Sequence, residues 1–310
     1  MLTRENMDGL YVLVVTPFDA KFRLDEEGYR ENVRKLVELG IDGVITTGTN
    51  GEFFVVSDDE LRRIARITRQ ECGERARAII GASAVNTDES IRRSRIALEE
   101  GADGVMNVVP FYQTLSKQEV YRYFEDLAAA CPGLGLIAYN NPGTTKVLLD
   151  DSDFVRLQEI ATVAGSKMIG ADLSLYLNCL RRTAIRHFPL EQLWGISHAG
   201  GGNGVMASFV YTFPAFMMKW WRAIRGGDLA TALSLQHDCN RILQDAILPL
   251  YHEGFNDTSL TKATVDAVGI FKAGPPRRPT RAVPPERIRR LRETLEKNFA
   301  HFLPQSAGAR

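Results

Sequence analysis

The sequence predicts an α/β fold, a (β/α)8 TIM barrel with a C-terminal helical extension, and three observations carry the prediction. Strand-like and helix-like segments alternate in a count that approaches eight pairs, composition holds steady to about residue 225, and beyond it the pattern is helical only. Such alternation favours a parallel sheet with crossover helices, and its steady repetition reads as a closed barrel more readily than as an open doubly wound sheet. Residues 1–225 are expected to form the barrel domain, and residues 226–310 a helical segment packed on it.

Taken in order, the apolar runs Tyr11–Thr16, Gly43–Thr47, Ala76–Gly81, Gly104–Val108, Leu134–Tyr139, Thr162–Lys167, Gln192–Ser197 and Gly204–Met206 are the candidate strands. Between them Asp25–Leu39, Asp58–Glu71, Asp88–Glu100 and Lys117–Ala130 show the 3.6-residue periodicity of amphipathic helices. Gly40 and Gly101 stand where a helix end asks for a left-handed residue, and Ser57 with Glu60 has the spacing of a capping box. After residue 225 helices are expected over Asp228–Leu248, about Leu260–Phe271 and Pro285–Ala300. The turn-rich Lys272-Ala273-Gly274-Pro275-Pro276-Arg277-Arg278-Pro279 precedes the last of them, and a loose tail runs from Leu303.

Composition narrows the function classes. Lys plus Arg and Asp plus Glu both number 38, so the net charge is zero and no global field points to nucleic acid or to an acidic membrane surface. Cys72, Cys131, Cys179 and Cys239 are far apart and form no CxxC pair, which argues against a zinc ribbon, a redox motif or a disulfide framework and fits a reducing cytoplasm. The N-terminus has no basic leader followed by a small-residue cleavage site, so a cytoplasmic protein without a signal peptide is expected. The apolar stretch Val205–Phe216 contains Ser208, Thr212 and Pro214 and falls short of the roughly 20 residues a spanning helix needs. A buried helix is the better reading.

Function in such a barrel is built just past the strand ends, and Lys167 ends a run that reads as buried. A buried ammonium is disfavoured relative to the neutral amine, and a neutral amine is a nucleophile able to form a Schiff base with a carbonyl substrate. The alternative is a lysine whose stem is buried and whose head reaches solvent. Tyr139 lies one βα unit earlier, which places it on the adjacent strand at the same level. The turn Gly48-Thr49-Asn50-Gly51 offers backbone N–H groups and a hydroxyl suited to a carboxylate, although a glycine-flanked turn is by default only a turn. It is neither a P-loop nor GxGxxG, so nucleotide binding is discounted. His187, His198, His237, His252 and His301 show no metal-ligand spacing, so neither metal nor cofactor is expected; His198 alone falls near a site. Trp194, Phe53 and Phe54 would suit an apolar substrate if they faced the mouth, with burial in the core as the alternative.

In this order and spacing Val15-Thr16-Pro17-Phe18, Gly48 to Glu52, Pro110-Phe111-Tyr112, Tyr139-Asn140-Asn141-Pro142 and Gly165-Ser166-Lys167 resemble the dihydrodipicolinate synthase and N-acetylneuraminate lyase family of Schiff-base barrel enzymes. The resemblance covers nearly the whole chain. It implies that Lys167 is the Schiff-base lysine, Tyr139 the proton shuttle and Tyr112 a relay tyrosine contributed across a subunit interface. Gly48, Thr49, Asn50 and Met206 form the expected substrate-binding set, with the carboxylate of a 2-oxo acid held by Thr49 and its neighbour. It further implies a homotetramer acting on pyruvate and an aldehyde. Two departures stand out: threonine replaces the arginine that synthases carry shortly after the catalytic tyrosine, and Asn50 replaces the second threonine of the turn. Asn141-Pro142 and Phe271-Lys272-Ala273-Gly274-Pro275-Pro276 are similar to the aromatic hydratase-aldolase branch. The expectation is a lysine-imine lyase making or breaking a C–C bond. Its alternatives are a synthase-like condensation, a 2-keto-3-deoxy sugar-acid lyase or dehydratase, and a non-catalytic 2-oxo-acid binding protein.

Overall fold

Strands β1 (Gly9–Leu13), β2 (Gly43–Thr46), β3 (Arg77–Gly81), β4 (Gly104–Asn107), β5 (Gly135–Asn140), β6 (Val163–Met168), β7 (Arg186–Phe188) and β8 (Gly204–Ala207) form one parallel sheet in the computed structural model, which describes residues 1–303. Consecutive strands are neighbours and β8 returns to β1 with Gly9 opposite Gly204, so the sheet curls into a nearly closed barrel. At the seam, Met206 N–H donates to the carbonyl of Pro189 at 3.2 Å.

Almost every strand residue is buried, because side chains alternate between two apolar layers. Tyr11, Leu13, Ile45, Ile79, Met106, Ile137, Phe188 and Met206 pack inside the barrel together with Leu2 and Met7 of the N-terminal segment. Leu10, Val12, Val14, Val44, Ile80, Val105 and Leu136 face the helices that cover the sheet from outside. These form where the periodicity places them: Glu26–Glu38, Asp58–Cys72, Thr87–Glu99 and Lys117–Ala130. Ser57 and Glu60 make the reciprocal capping box, and Gly40 and Gly101 take φ of +82° and +79°.

The structure corrects the seventh strand. It is Arg186–Phe188, and Trp194–Ala199 within the expected run is helical. A short apolar run does not distinguish strand from buried helix, whereas Pro189 immediately after Phe188 is the stop signal that marks the true strand. The apolar stretch from Val205 divides into β8, a 3-10 turn and the helix Pro214–Arg225, and no helix among the described residues is long and apolar enough to cross a membrane.

The first long C-terminal helix, Leu229–Ile242, passes into a π turn over Leu243–Ile247 before Leu248–His252. Pro249 has no N–H to continue the ladder, and a widened turn accommodates it. Asp257–Val268 is capped by Asn256 and closed by Gly269, with φ +77°, so its last residue lies three ahead of the expected Phe271. Pro285–Phe299 is the last α-helix among the described residues, and a 3-10 turn over Ala300–Phe302 follows it. Residues 304–310 of the expected tail lie outside the described residues.

Candidate active site

Lys167 reaches the barrel mouth through a shift of register. Leu136 pairs with Val163, but Ile137 pairs with Gly165, so β6 carries one extra residue between the two pairs. A bulge reverses the inside–outside phase of everything beyond it. Without it Ser166 would stand opposite Tyr139; with it, Tyr139 pairs with Lys167. Both side chains are buried, and the Lys167 ammonium nitrogen lies 4.2 Å from the Tyr139 ring centroid. Among the described residues Lys167 has no ion-pair partner.

Behind Lys167, Ser166 turns to the outer layer, where its Oγ lies 2.7 Å from His187 Nδ1 and Thr183 Oγ1 lies 2.8 Å from Nε2. Burial pushes the His187 imidazole down to about 3, so this spacer between β6 and the covering helices is neutral at physiological pH.

Past β2 the chain makes a strained turn. Thr47 and Glu52, neither of them glycine, have φ of +43° and +57°. Residues in this region cost roughly 1–3 kcal/mol each and persist only where surroundings over-determine them. Gly51 is required because a Cβ there would sit 2.6 Å from the nitrogen of Thr47. The carbonyls of Gly48, Thr49 and Gly51 are all engaged, by Phe53 N–H, Glu52 N–H and Thr16 Oγ1, whereas the N–H groups of Thr49 and Asn50 find no acceptor among the described residues. Unpaired, partly buried N–H groups side by side suit an anion. The Tyr139 hydroxyl lies 3.5 Å from Thr49 Oγ1 and accepts from Asn141 Nδ2 at 3.3 Å.

These groups share one cleft of about 160 Å³, lined by Gly48, Thr49, Asn50, Gly51, Tyr139 and Lys167. The structure thereby gathers five of the seven residues expected to act. Met206 belongs to the sealed barrel interior and is not among the lining residues. Tyr112 is 81 % exposed and lines a separate surface groove beside Val85 and Arg122, its loop held by Lys146, which donates to its carbonyl at 3.0 Å. Trp194 is buried against Trp220 and Trp221, Phe53 packs edge-on to Phe111, and Phe54 is exposed. None of the three, nor His198, lines the cleft.

Sequence reasoning missed the opposite wall. Glu191, Gln192, Ser208, Phe209 and Thr212 follow β7 and β8, and Asp257, Leu260, Thr261 and Thr264 come from the helix Asp257–Val268, with Leu243 and Ile247 from the π turn. Glu191 is buried, and its Oε1 accepts from Ser208 N–H, Ser208 Oγ and Phe209 N–H at 2.7, 3.0 and 3.0 Å. Placing β7 correctly, by way of Pro189, would have brought Glu191 into the search past the strand ends. The helical contribution left no local signal.

The model of the Dihydrodipicolinate synthetase family matches residues 6–298. The chain is similar to the 4-hydroxy-tetrahydrodipicolinate synthase of Methanopyrus kandleri, 30 % identical over 300 residues that cover 94 % of this chain and 96 % of the relative. It is 30 % identical to that of Neisseria gonorrhoeae over 277 residues, 87 % of this chain and 90 % of the relative. Among solved structures, one described as PhdJ bound to substrate intermediate superposes with a TM-score of 0.87 at 25 % identity, covering 97 % of both chains.

Proposed function

The chain belongs to the dihydrodipicolinate synthetase family, a family of pyruvate-dependent Schiff-base enzymes, and on that premise we propose that it cleaves or forms a C–C bond between pyruvate and an aldehyde through an imine on Lys167. The observation that carries the proposal is the pairing of Lys167 with Tyr139 beside a turn whose N–H groups are free. The neutral Lys167 amine attacks the C2 carbonyl of the 2-oxo acid and loses water to give an iminium, which withdraws electrons from C3. In the cleavage direction Tyr139 takes the C4 hydroxyl proton as the C3–C4 bond breaks, releasing the aldehyde and leaving an enamine. Protonation at C3 and hydrolysis then give pyruvate and the free amine. The turn Gly48–Gly51 holds the carboxylate and fixes the angle of approach.

Within the family, the cleft favours an aldehyde other than the synthase partner, because no arginine is among its lining residues. None of the three aromatic side chains expected to support an arylidene substrate lines the cleft, which weakens the hydratase-aldolase reading, although Phe209 does line it. Glu191, Gln192, Ser208 and Thr261 put polar groups among the lining residues beside Leu243, Ile247 and Leu260, and these support a second reading, cleavage of a hydroxylated 2-keto-3-deoxy acid. Tyr112 is proposed to act in a neighbouring copy of a homotetramer, in keeping with its exposure.

Incubation with pyruvate and borohydride, followed by intact-mass and peptide analysis, tests the reading. A stable adduct on Lys167 that is absent from Lys167→Ala is expected. Failure to trap an adduct while pyruvate binds would overturn the lyase reading in favour of a 2-oxo-acid binding protein. Turnover with aromatic against polyhydroxylated aldehydes then separates the two substrate classes.

A further inference from the structure

The chain buries a second lysine, and unlike Lys167 it is paired. Lys262, in the helix Asp257–Val268, is 2 % exposed and lies 2.6 Å from the carboxylate of Glu52, which is fully buried. Lys262 also donates to the carbonyls of Thr16 and Pro275 at 2.9 and 3.1 Å. The other Glu52 oxygen accepts from Arg277 N–H at 2.8 Å. Four residues before Lys262 on the same helix, Thr258 donates through Oγ1 to the carbonyl of Thr49 at 3.0 Å. The segment that carries Pro275 and Arg277 presses on the loop that follows the first strand: Gly274 has φ +62°, and a Cβ there would meet the carbonyl oxygen of Phe18 at 2.0 Å.

Three of these contacts, made by Lys262, Arg277 and Thr258, fall on one feature, the strained turn between Thr47 and Glu52. Glu52 is the residue that holds φ +57°, and a buried carboxylate gripped from both sides cannot relax that angle without breaking its pair. Thr258 binds a carbonyl of the turn and so keeps it from competing for the site where the N–H groups of Thr49 and Asn50 are left open. An ion pair this deep is weak evidence for stability, since well-packed apolar groups often do as well, but it does fix geometry.

We propose that Thr258 and Lys262 are positioning residues, a clamp by which the C-terminal helix Asp257–Val268 holds the Gly48–Glu52 turn in its anion-receiving shape and so sets recognition of the substrate carboxylate. The proposal rests on the reading that this turn receives the carboxylate. Neither residue reaches the reacting atoms; Thr258 acts through the backbone of the turn and Lys262 through the Glu52 side chain. The helix that supplies Asp257, Leu260 and Thr261 to the aldehyde side of the cleft thus also shapes the pyruvate side.

The test measures half-saturation for borohydride-trapped adduct formation with pyruvate and with its neutral amide, pyruvamide, in the full-length chain. The wild type is expected to prefer pyruvate by about ten- to a hundredfold, the range for hydrogen bonds to a charged group. Thr258→Val, which exchanges one hydroxyl for a methyl, is expected to lose about tenfold of that preference while pyruvamide half-saturation is unchanged, and Thr258→Ser to keep it. The double variant Glu52→Gln/Lys262→Met leaves no unpaired buried charge and is expected to lose the preference too. A wild-type preference that persists in both Thr258→Val and the double variant overturns the clamp alone. No preference in the wild type overturns the carboxylate reading of the turn, and the clamp with it.

Discussion

Acidification from pH 7 to pH 5 should destabilise the protein through one imidazole, that of His187. Burial holds it at about 3 in the folded chain against 6.5 when unfolded. Below pH 6.5 the unfolded chain therefore binds a proton that the folded chain refuses until about pH 3, and stability falls as pH falls through that window. Across pH 7 to 5 the folded ring stays neutral, so the loss follows the titration of the unfolded ring and comes to about 2 kcal/mol at about 1.4 kcal/mol per pH unit. The other histidines are not buried in this way; Asp266, raised to about 6 by burial, titrates within the window with the opposite sign, and comparison with a His187 variant subtracts it. The assay is denaturant unfolding at fixed protein concentration at both pH values, for the wild type and His187→Gln, whose amide can still bond Ser166 and Thr183. The wild type should lose about 2 kcal/mol more than the variant over this interval. Equal losses would refute the argument that a neutral His187 spaces Ser166, the neighbour of Lys167, from the covering helices.

Two further predictions concern the chemistry. Tyr139→Phe should lower turnover by about 10²–10⁴-fold while the borohydride adduct on Lys167 still forms, because in the proposed mechanism the hydroxyl moves protons and the amine makes the imine; loss of the adduct as well would give Tyr139 an earlier role. If Tyr112 serves a neighbouring copy, Tyr112→Phe and Lys167→Ala should each be nearly inactive, and their coexpression should restore up to about a quarter of wild-type activity through mixed dimers with one intact site. A mixture as inactive as its parents would place Tyr112 in its own subunit's site, and an active Tyr112→Phe would place it outside the reaction.

The barrel was legible because its signals are local and repeated. Helix Lys117–Ala130 begins and ends where its periodicity predicts, the Ser57–Glu60 box caps its helix, and seven of the eight strands fall within or beside the expected runs. The seventh failed because three residues of strand carry too little pattern, and the apolar run around Trp194 carries an ambiguous one. The error had a cost at the site, since it moved the search away from Glu191.

The sequence by itself determined which groups could do chemistry: a lysine and a tyrosine one βα unit apart, and a glycine-flanked turn past the second strand. Strand order and spacing suffice for this, because in a parallel barrel each strand end arrives at the same rim. Only the tertiary structure decided that Lys167 faces Tyr139, since a one-residue bulge in β6 reverses which side chains point inward and leaves no mark in the hydrophobic alternation. Only the tertiary structure placed Tyr112 and Met206 outside the cleft and brought Thr258 and Lys262 to a turn more than 200 residues away. Contacts of that range depend on how the helical segment docks across the rim, and docking is set by the summed packing of many side chains rather than by any local pattern.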